Sequence, residues 1–408
     1  MTHIIVIGGG LSGLFAGNLA ADQGARVTIA MKGRGGFALS HGCIDVLDRS
    51  APSRSLASLP EHHPYKLAGR NNLKDAVSIF RDLMQQASYP FTGKISKSML
   101  LLSALGSIKR TSFAPAGIAQ GDLNSGGPIV LGRLASFQDF YPDMIRKQAR
   151  KAGIKIAKVI ELPFLEPPSH RDAYTMDYAL RFEDSAWRAE IIRMWRPLLP
   201  GVKRLGLPAI LGLQSHCEIL DELEESLGVE VFEIPTMPPS IPGLRIERIL
   251  LRQAQGLGVR IIEGAGAIGR VDGRSRGKRV SGVVLHSSNR PIQLDADVVL
   301  LATGGILNGG LVAQQDHRIR ESVFDLPVPH PTNRSDWVGL SLFHQQAYAG
   351  TGIRVNSRMQ PLGLDEKPIF NNLFAAGGIL AGSDRSIEGS RQGIDLATAY
   401  CAVHEALR

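Results

Sequence analysis

Near the start of the chain, Gly8-Gly9-Gly10-Leu11-Ser12-Gly13 constrains the fold more than any other stretch. It follows the apolar run Ile4-Ile5-Val6-Ile7, which reads as a buried strand. A helix is expected from Leu14 to Gln23, and a second strand from Val27 to Met31. Strand, G-x-G-x-x-G, helix and strand in that order form the context in which the motif means nucleotide binding. Gly8 permits the tight turn, Gly10 lets backbone approach a phosphate, and Gly13 lets helix and strand pack closely. Gly17 extends that contact. The free N–H groups of Leu11 and Ser12 at the helix start then face an anion.

An acid at the end of the second strand ordinarily accepts hydrogen bonds from an adenosine ribose. Here the strand ends Ala30-Met31-Lys32-Gly33-Arg34, with no acid. Lys32 and Arg34 suit a phosphate better than a ribose hydroxyl. FMN fits such a site, and FAD held without the acidic clamp is the competing reading.

The length, 408 residues, points to two domains or one elaborated α/β domain. Cys43, Cys217 and Cys401 are widely spaced, with no C-x-x-C. They argue against a metal site, an iron–sulfur cluster or a disulfide framework, and for a reducing compartment. Two uncharged windows, Ile4 to Ala21 and Val298 to Gln315, approach the length of a membrane span. Glycine clusters interrupt both, so they read as buried strands followed by cofactor turns. The net charge of +8 is scattered and lacks an aromatic-rich basic platform, which argues against nucleic acid. It leaves an acidic partner or an anionic membrane surface open.

After the second strand, Gly35 to Asp45 supplies small and polar residues for a cofactor ring or its ribityl chain, with Ser40, His41 and Gly42 as contacts. Cys43 reads as a buried residue. From about Ser50 to Pro242 the composition shifts, with Leu59-Pro60, Glu166-Pro167-Pro168 and Met237-Pro238-Pro239 as joints. Pro128–Gly132, Gln138–Ala152 and Ile154–Glu161 read as strand, helix and strand. Pro208–Gly212, Glu218–Leu227 and Val229–Ile234 repeat the pattern, so the insert is an α/β domain in its own right. Trp187 and Trp195 read as packing residues of its helices.

Beyond it, Ile246, Leu250 and Ala254 mark one face of a helix over Gly243–Leu257, and a strand follows at Val259–Glu263. Val280–Leu285 and Pro291–Leu294 read as a hairpin across Ser288-Asn289. The strand Asp297 to Leu301 ends Ala302-Thr303-Gly304-Gly305, a second cofactor turn. A third is Phe374-Ala375-Ala376-Gly377-Gly378, followed by Glu388-Gly389-Ser390-Arg391-Gln392-Gly393 ahead of a final helix, Ile394–Leu407. That helix N-terminus carries about half a positive charge. Aimed at the N1–C2=O edge of a flavin, it would stabilise the reduced anionic ring.

Over nearly its whole length the chain resembles the B subunit of anaerobic glycerol-3-phosphate dehydrogenase. The likeness rests on Gly8 to Leu14, Ser40 to Asp45, His63-Pro64-Tyr65, Pro235-Thr236-Met237-Pro238-Pro239-Ser240, Gly309 to Ala313 and Asn372 to Ala375. The residues themselves read as a Rossmann-like, parallel-sheet flavin domain (residues 1–50 plus 243–408) carrying a large inserted α/β cap (51–242). The resemblance implies FMN, a partner A subunit of related fold, and an iron–sulfur C subunit that keeps the complex on the inner face of the cytoplasmic membrane. Together such subunits oxidise sn-glycerol 3-phosphate to dihydroxyacetone phosphate and pass electrons to quinone. That chemistry needs a base for the hydroxyl proton and cations for the phosphate. His41 and His330 are the base candidates, with Arg318, Arg320, Arg334 and Arg354 for the phosphate. A competing reading seats the alcohol chemistry in the A subunit, with this chain relaying electrons. Two alternatives remain: a stand-alone FAD reductase of the fumarate reductase or succinate dehydrogenase type, and an assembly protein without cofactor.

Overall fold

The computed structural model describes residues 1–134, 137–164, 174–271, 279–286, 290–341, 344 and 346–408. The Pro167-Pro168 joint and the Ser288-Asn289 turn lie outside the described residues.

A parallel five-stranded sheet forms from segments far apart in the chain. Its strands are β1 (His3–Gly9), β2 (Arg26–Arg34), β3 (Arg260–Glu263), β4 (Val298–Leu301) and β5 (Leu373–Ala375). The spatial order is β3-β2-β1-β4-β5. This is the doubly wound order, whose reversal between β1 and β4 opens a crevice at the strands' carboxyl ends. β1 and β4 are apolar throughout their paired stretch, Ile4 opposite Val298 to Ile7 opposite Leu301, because the sheet is covered on both faces. The covering helices include α1 (Leu11–Asp22), α2 (Arg70–Gln86), α3 (Ile241–Gly256) and α4 (Arg391–Ala406).

Helix α2 changes the expected domain boundary. Its Leu73, Ala76, Val77, Phe80 and Met84 recur at helical spacing and join the core of the first sheet, as do Leu56, Tyr65 and Phe91. Residues 51–242 therefore do not pack as one unit. Much of their first forty residues belongs with the nucleotide core, because α2 needs an apolar surface for its buried stripe.

A second core surrounds a four-stranded parallel sheet, ordered Glu230–Ile234, Arg204–Pro208, Ile129–Leu134, Ile156–Leu162. Trp187 and Trp195 are buried in it on the helix Ser185–Trp195. The strand expected at Pro208–Gly212 lies earlier, at Arg204–Pro208. Beyond Pro208 the backbone leaves the ladder to serve a buried ion pair: Leu211 N–H donates to Glu233, and Arg245 donates to the Leu211 and Gly212 carbonyls. The helix expected from Gln138 begins at Pro142, which sits in its first turn where a missing N–H does no harm. Between β3 and β4 lies a three-stranded antiparallel sheet containing the expected pair Val280–His286 and Ile292–Asp295. Among the described residues, no helix is long and apolar enough to cross a membrane.

Candidate flavin site

The three glycine turns meet at the β1/β4 reversal. A Cβ on Gly8 would stand 2.1 Å from the Ala302 carbonyl oxygen, so the first turn rests directly on the second. A Cβ on Gly305 would reach the Gly378 carbonyl at 3.0 Å, joining the second turn to the third. Gly377, at φ +73°, leaves no room for a side chain, since a Cβ would stand 2.1 Å from Ser12 Oγ. The Gly377 N–H donates to Thr398 of α4 at 2.9 Å, and Ser12 Oγ donates to Asp395 of α4 at 3.0 Å. The first turn of α1, the N-terminal half of α4 and the ends of β1, β4 and β5 thus meet in one place.

The roles expected of the first glycines are visible in their surroundings. Gly13 lies against Gly8, its missing Cβ only 2.0 Å from the Gly8 carbonyl oxygen. Gly10 has nothing within 4 Å of its missing Cβ, and as N-cap of α1 it offers no side chain to the helix's first N–H groups. Those groups await an anion from outside. Thr303 Oγ1 and Gln392 Oε1 are buried polar atoms without a partner, one from the second turn and one from α4. An open helix start and orphaned polar atoms fit a flavin nucleotide: Gly10, Leu11, Ser12 and Gly13 would hold phosphate, while Thr303, Gly304, Gln392 and Gly393 would meet ribityl and ring. Ser40 joins this set through Gln392 Nε2 at 3.5 Å.

β2 continues past the position of the usual acid. Arg34 pairs opposite Gly9, and a Cβ on Gly35 would stand 2.5 Å from the Gly10 Cα. The chain past β2 therefore runs beside the glycine loop. Lys32 is exposed, and Arg34 faces Glu247 of α3 at 3.6 Å.

His41 is committed on both ring nitrogens. Nδ1 accepts the Cys43 N–H at 3.1 Å, so Nε2 carries the proton and donates to Asp45 at 3.0 Å. Burial alone would push the Asp45 carboxyl up; the His41 contact and the Lys109 ammonium, 2.8 Å away, outweigh it and hold it low. In this arrangement His41 holds the loop, with no lone pair free for a substrate proton. Cys43 is buried, and burial pushes its thiol far above the ordinary range. Gly42, at φ +80°, packs on Pro242 at the start of α3.

The remaining candidates find local partners. His330 Nδ1 bonds the Val328 carbonyl at 2.6 Å, its ring edge on Trp337. Arg334 lies over the same indole. Arg318 pairs with Asp316, Arg320 with Asp325, and Arg354 with Glu366 at 2.5 Å. Arg354 does border the third turn through its backbone, since Ile353 bridges Leu380. Among the described residues, no three His, Cys, Asp or Glu stand together to hold a metal ion.

The family model for an FAD binding domain matches residues 3–390. The B subunit of anaerobic glycerol-3-phosphate dehydrogenase from Yersinia pestis is 31% identical, over 99% of this chain and 97% of its own. The chain belongs to that family. The corresponding protein of Pectobacterium atrosepticum is 29% identical over 99% of this chain and 98% of its own. Among solved structures, a 3-ketosteroid Δ1-dehydrogenase from Sterolibacterium denitrificans covers the full length of both chains at 10% identity and a TM-score of 0.46.

In this B-subunit homologue, residues that motif reading passes over hold the third turn in place. Tyr65 donates to the Val46 carbonyl at 2.8 Å and to the Ser390 carbonyl at 3.3 Å. His63 Nδ1 accepts the Tyr65 N–H, and its Nε2 donates to Glu388, which also takes the Ser390 hydroxyl. Ser240 caps α3 through the Gly243 N–H, and its own N–H donates to Ala38. Family likeness alone marks His63-Pro64-Tyr65 and the proline joint; nothing local in them announces a role. Tyr65→Phe is expected to lower stability by about 1–2 kcal/mol, leaving a buried carbonyl unpaired, as read from the urea midpoint at unchanged m.

Proposed function

We propose that the chain is the FMN-bearing subunit of an anaerobic glycerol-3-phosphate dehydrogenase, relaying electrons from sn-glycerol 3-phosphate oxidation toward quinone through its A and C partner subunits. The observation that carries the reading is the convergence of the three glycine turns on one crevice, in a chain whose relatives bear the dehydrogenase's name. FMN over FAD is supported by the lack of an acid at the end of β2, where the chain runs Met31-Lys32-Gly33-Arg34. When bound, the flavin accepts an electron pair and can release it one electron at a time.

The chain's own residues serve that group in distinct ways. The open N–H groups of α1 bind its phosphate, and Gly10 lets it approach. Thr303 and Gln392 give their unpaired oxygens to its polar edges. The start of α4 carries about half a positive charge, which would favour the reduced form of a flavin ring bound near it. His41, Asp45 and Lys109 fix the loop beneath it. The relay reading is supported by His41's committed nitrogens, which leave that residue no part in removing the substrate's hydroxyl proton. The domain reading that goes with this places the second parallel sheet as a cap facing the crevice. The complex sits at the inner face of the cytoplasmic membrane through its partners.

The test is turnover. The isolated, flavin-loaded chain, given sn-glycerol 3-phosphate and an artificial acceptor, should work at least about a hundredfold slower than the reconstituted complex. Comparable rates from the chain alone would contradict the relay.

A further inference from the structure

The crevice contains a cation that none of the sequence motifs marks. Arg385 Nη1 donates at 2.9 Å to Asp395 Oδ1, the same oxygen that accepts the Ser12 hydroxyl at 3.0 Å. Ser12 lies in the first turn of α1, so a single carboxylate oxygen separates the guanidinium from the phosphate end of the glycine loop. On its other side Arg385 lies against the third turn: a Cβ on Gly378 would stand 2.1 Å from Nη2 and expel it. Two successive glycines are thus required for different reasons, Gly377 by Ser12 and Gly378 by Arg385. The arginine side chain is only 19% exposed.

We propose that Arg385 is the cation that recognises the terminal phosphate of the flavin mononucleotide, with Asp395 as its positioning partner. The inference rests on the FMN reading above and extends it to a residue. A phosphomonoester carries about −1.5 to −2 charges at neutral pH. A helix N-terminus offers only about +0.5. In a dinucleotide each phosphate is a diester bearing a single charge, so a mononucleotide site has more charge to meet at one point. A guanidinium answers it with a planar fork of donors. Asp395 spends Oδ1 on Ser12 and on Nη1, which holds the fork while Nε and Nη2 keep donors to offer.

The other basic groups nearby are turned elsewhere. Lys32 is exposed on β2, Arg34 faces Glu247, and Arg391 donates to the Ser386 hydroxyl at 2.9 Å. Of these, Arg385 is the one tied, through Asp395, to a residue in the first turn of α1. The unpaired Gln392 Oε1, on a residue only 8% exposed, independently marks the crevice as built for a polar ligand.

The experiment strips flavin from the full-length chain and titrates it with FMN and with riboflavin, read by quenching of flavin fluorescence. Arg385→Met should weaken FMN by about a hundredfold while changing riboflavin by less than about threefold, and Arg385→Lys should recover part of the FMN loss. Equal losses for both flavins would show a merely structural role and overturn the proposal. Unchanged FMN affinity would overturn it too, as would a loss confined to sn-glycerol 3-phosphate binding, which would place the substrate's phosphate there. A stripped wild-type chain that prefers FAD, or binds no flavin, would instead bring down the FMN reading and this inference with it.

Discussion

Glu233→Ala should destabilise the chain by about 3–5 kcal/mol, among the largest losses a single truncation produces. Glu233 and Arg245 are fully buried, joined by bonds of 2.6 and 2.9 Å. Arg245 stands on α3 while Glu233 ends a strand of the second sheet, and the guanidinium also lies over the Tyr89 ring. The pair therefore fastens the second module to the nucleotide module. Removing the carboxylate strands a buried cation and the Leu211 N–H. Glu233→Gln, which keeps hydrogen bonds but not charge, should fall between. Replacing both partners by apolar residues of like volume should recover much of the loss. Urea unfolding followed by tryptophan fluorescence reads all three; a Glu233→Ala variant within about 1 kcal/mol of wild type would show that the pair is not a fastener.

The same cluster predicts a pH effect. Burial, then the Arg245 charge, push the His216 imidazole down to about 4. An unfolded histidine takes its proton near pH 6.5, so on acidification the unfolded chain binds protons first. Stability from this group is complete above about pH 6.5 and drains as pH falls toward 4. Between pH 7 and pH 5 the loss is about 2 kcal/mol. His216→Gln should be flatter over that window, by that amount.

Gly10→Asp should abolish flavin binding, by at least about a hundredfold, and leave the fold intact. The position is extended, at φ −82° and ψ −175°, with open space where a Cβ would go. An acid at an N-cap favours the helix over glycine by only about a few tenths of a kcal/mol, while placing a charge where the phosphate must sit. Gly13→Ala is the converse. Its Cβ would strike the Gly8 carbonyl oxygen, forcing helix from strand at a cost of about 1–3 kcal/mol before any ligand is considered. Flavin titration beside thermal unfolding separates the two. A Gly10→Asp chain that retains flavin would move the phosphate site away from α1.

The glycine turns are legible in sequence because their requirement is local: the close approaches at Gly8, Gly13 and Gly377 leave no room for a side chain. Helix α2 is legible too, in the spacing of Leu73, Ala76, Val77, Phe80 and Met84, but the shift in composition at Ser50 masks which core it joins. Arg385 and Asp395 are not, since the Ser12–Asp395 bond spans 383 residues and only the folded sheet brings its ends together. Choosing arginines by type alone leads to Arg318, Arg320 and Arg354, each of which meets a nearby acid. Choosing His41 as a base overlooks Cys43, whose N–H takes up the lone pair.

Denaturing the purified chain and weighing what it releases tests the central claim most directly. The account predicts FMN at one per chain. FAD in that position, or a colourless protein releasing no flavin, would contradict it.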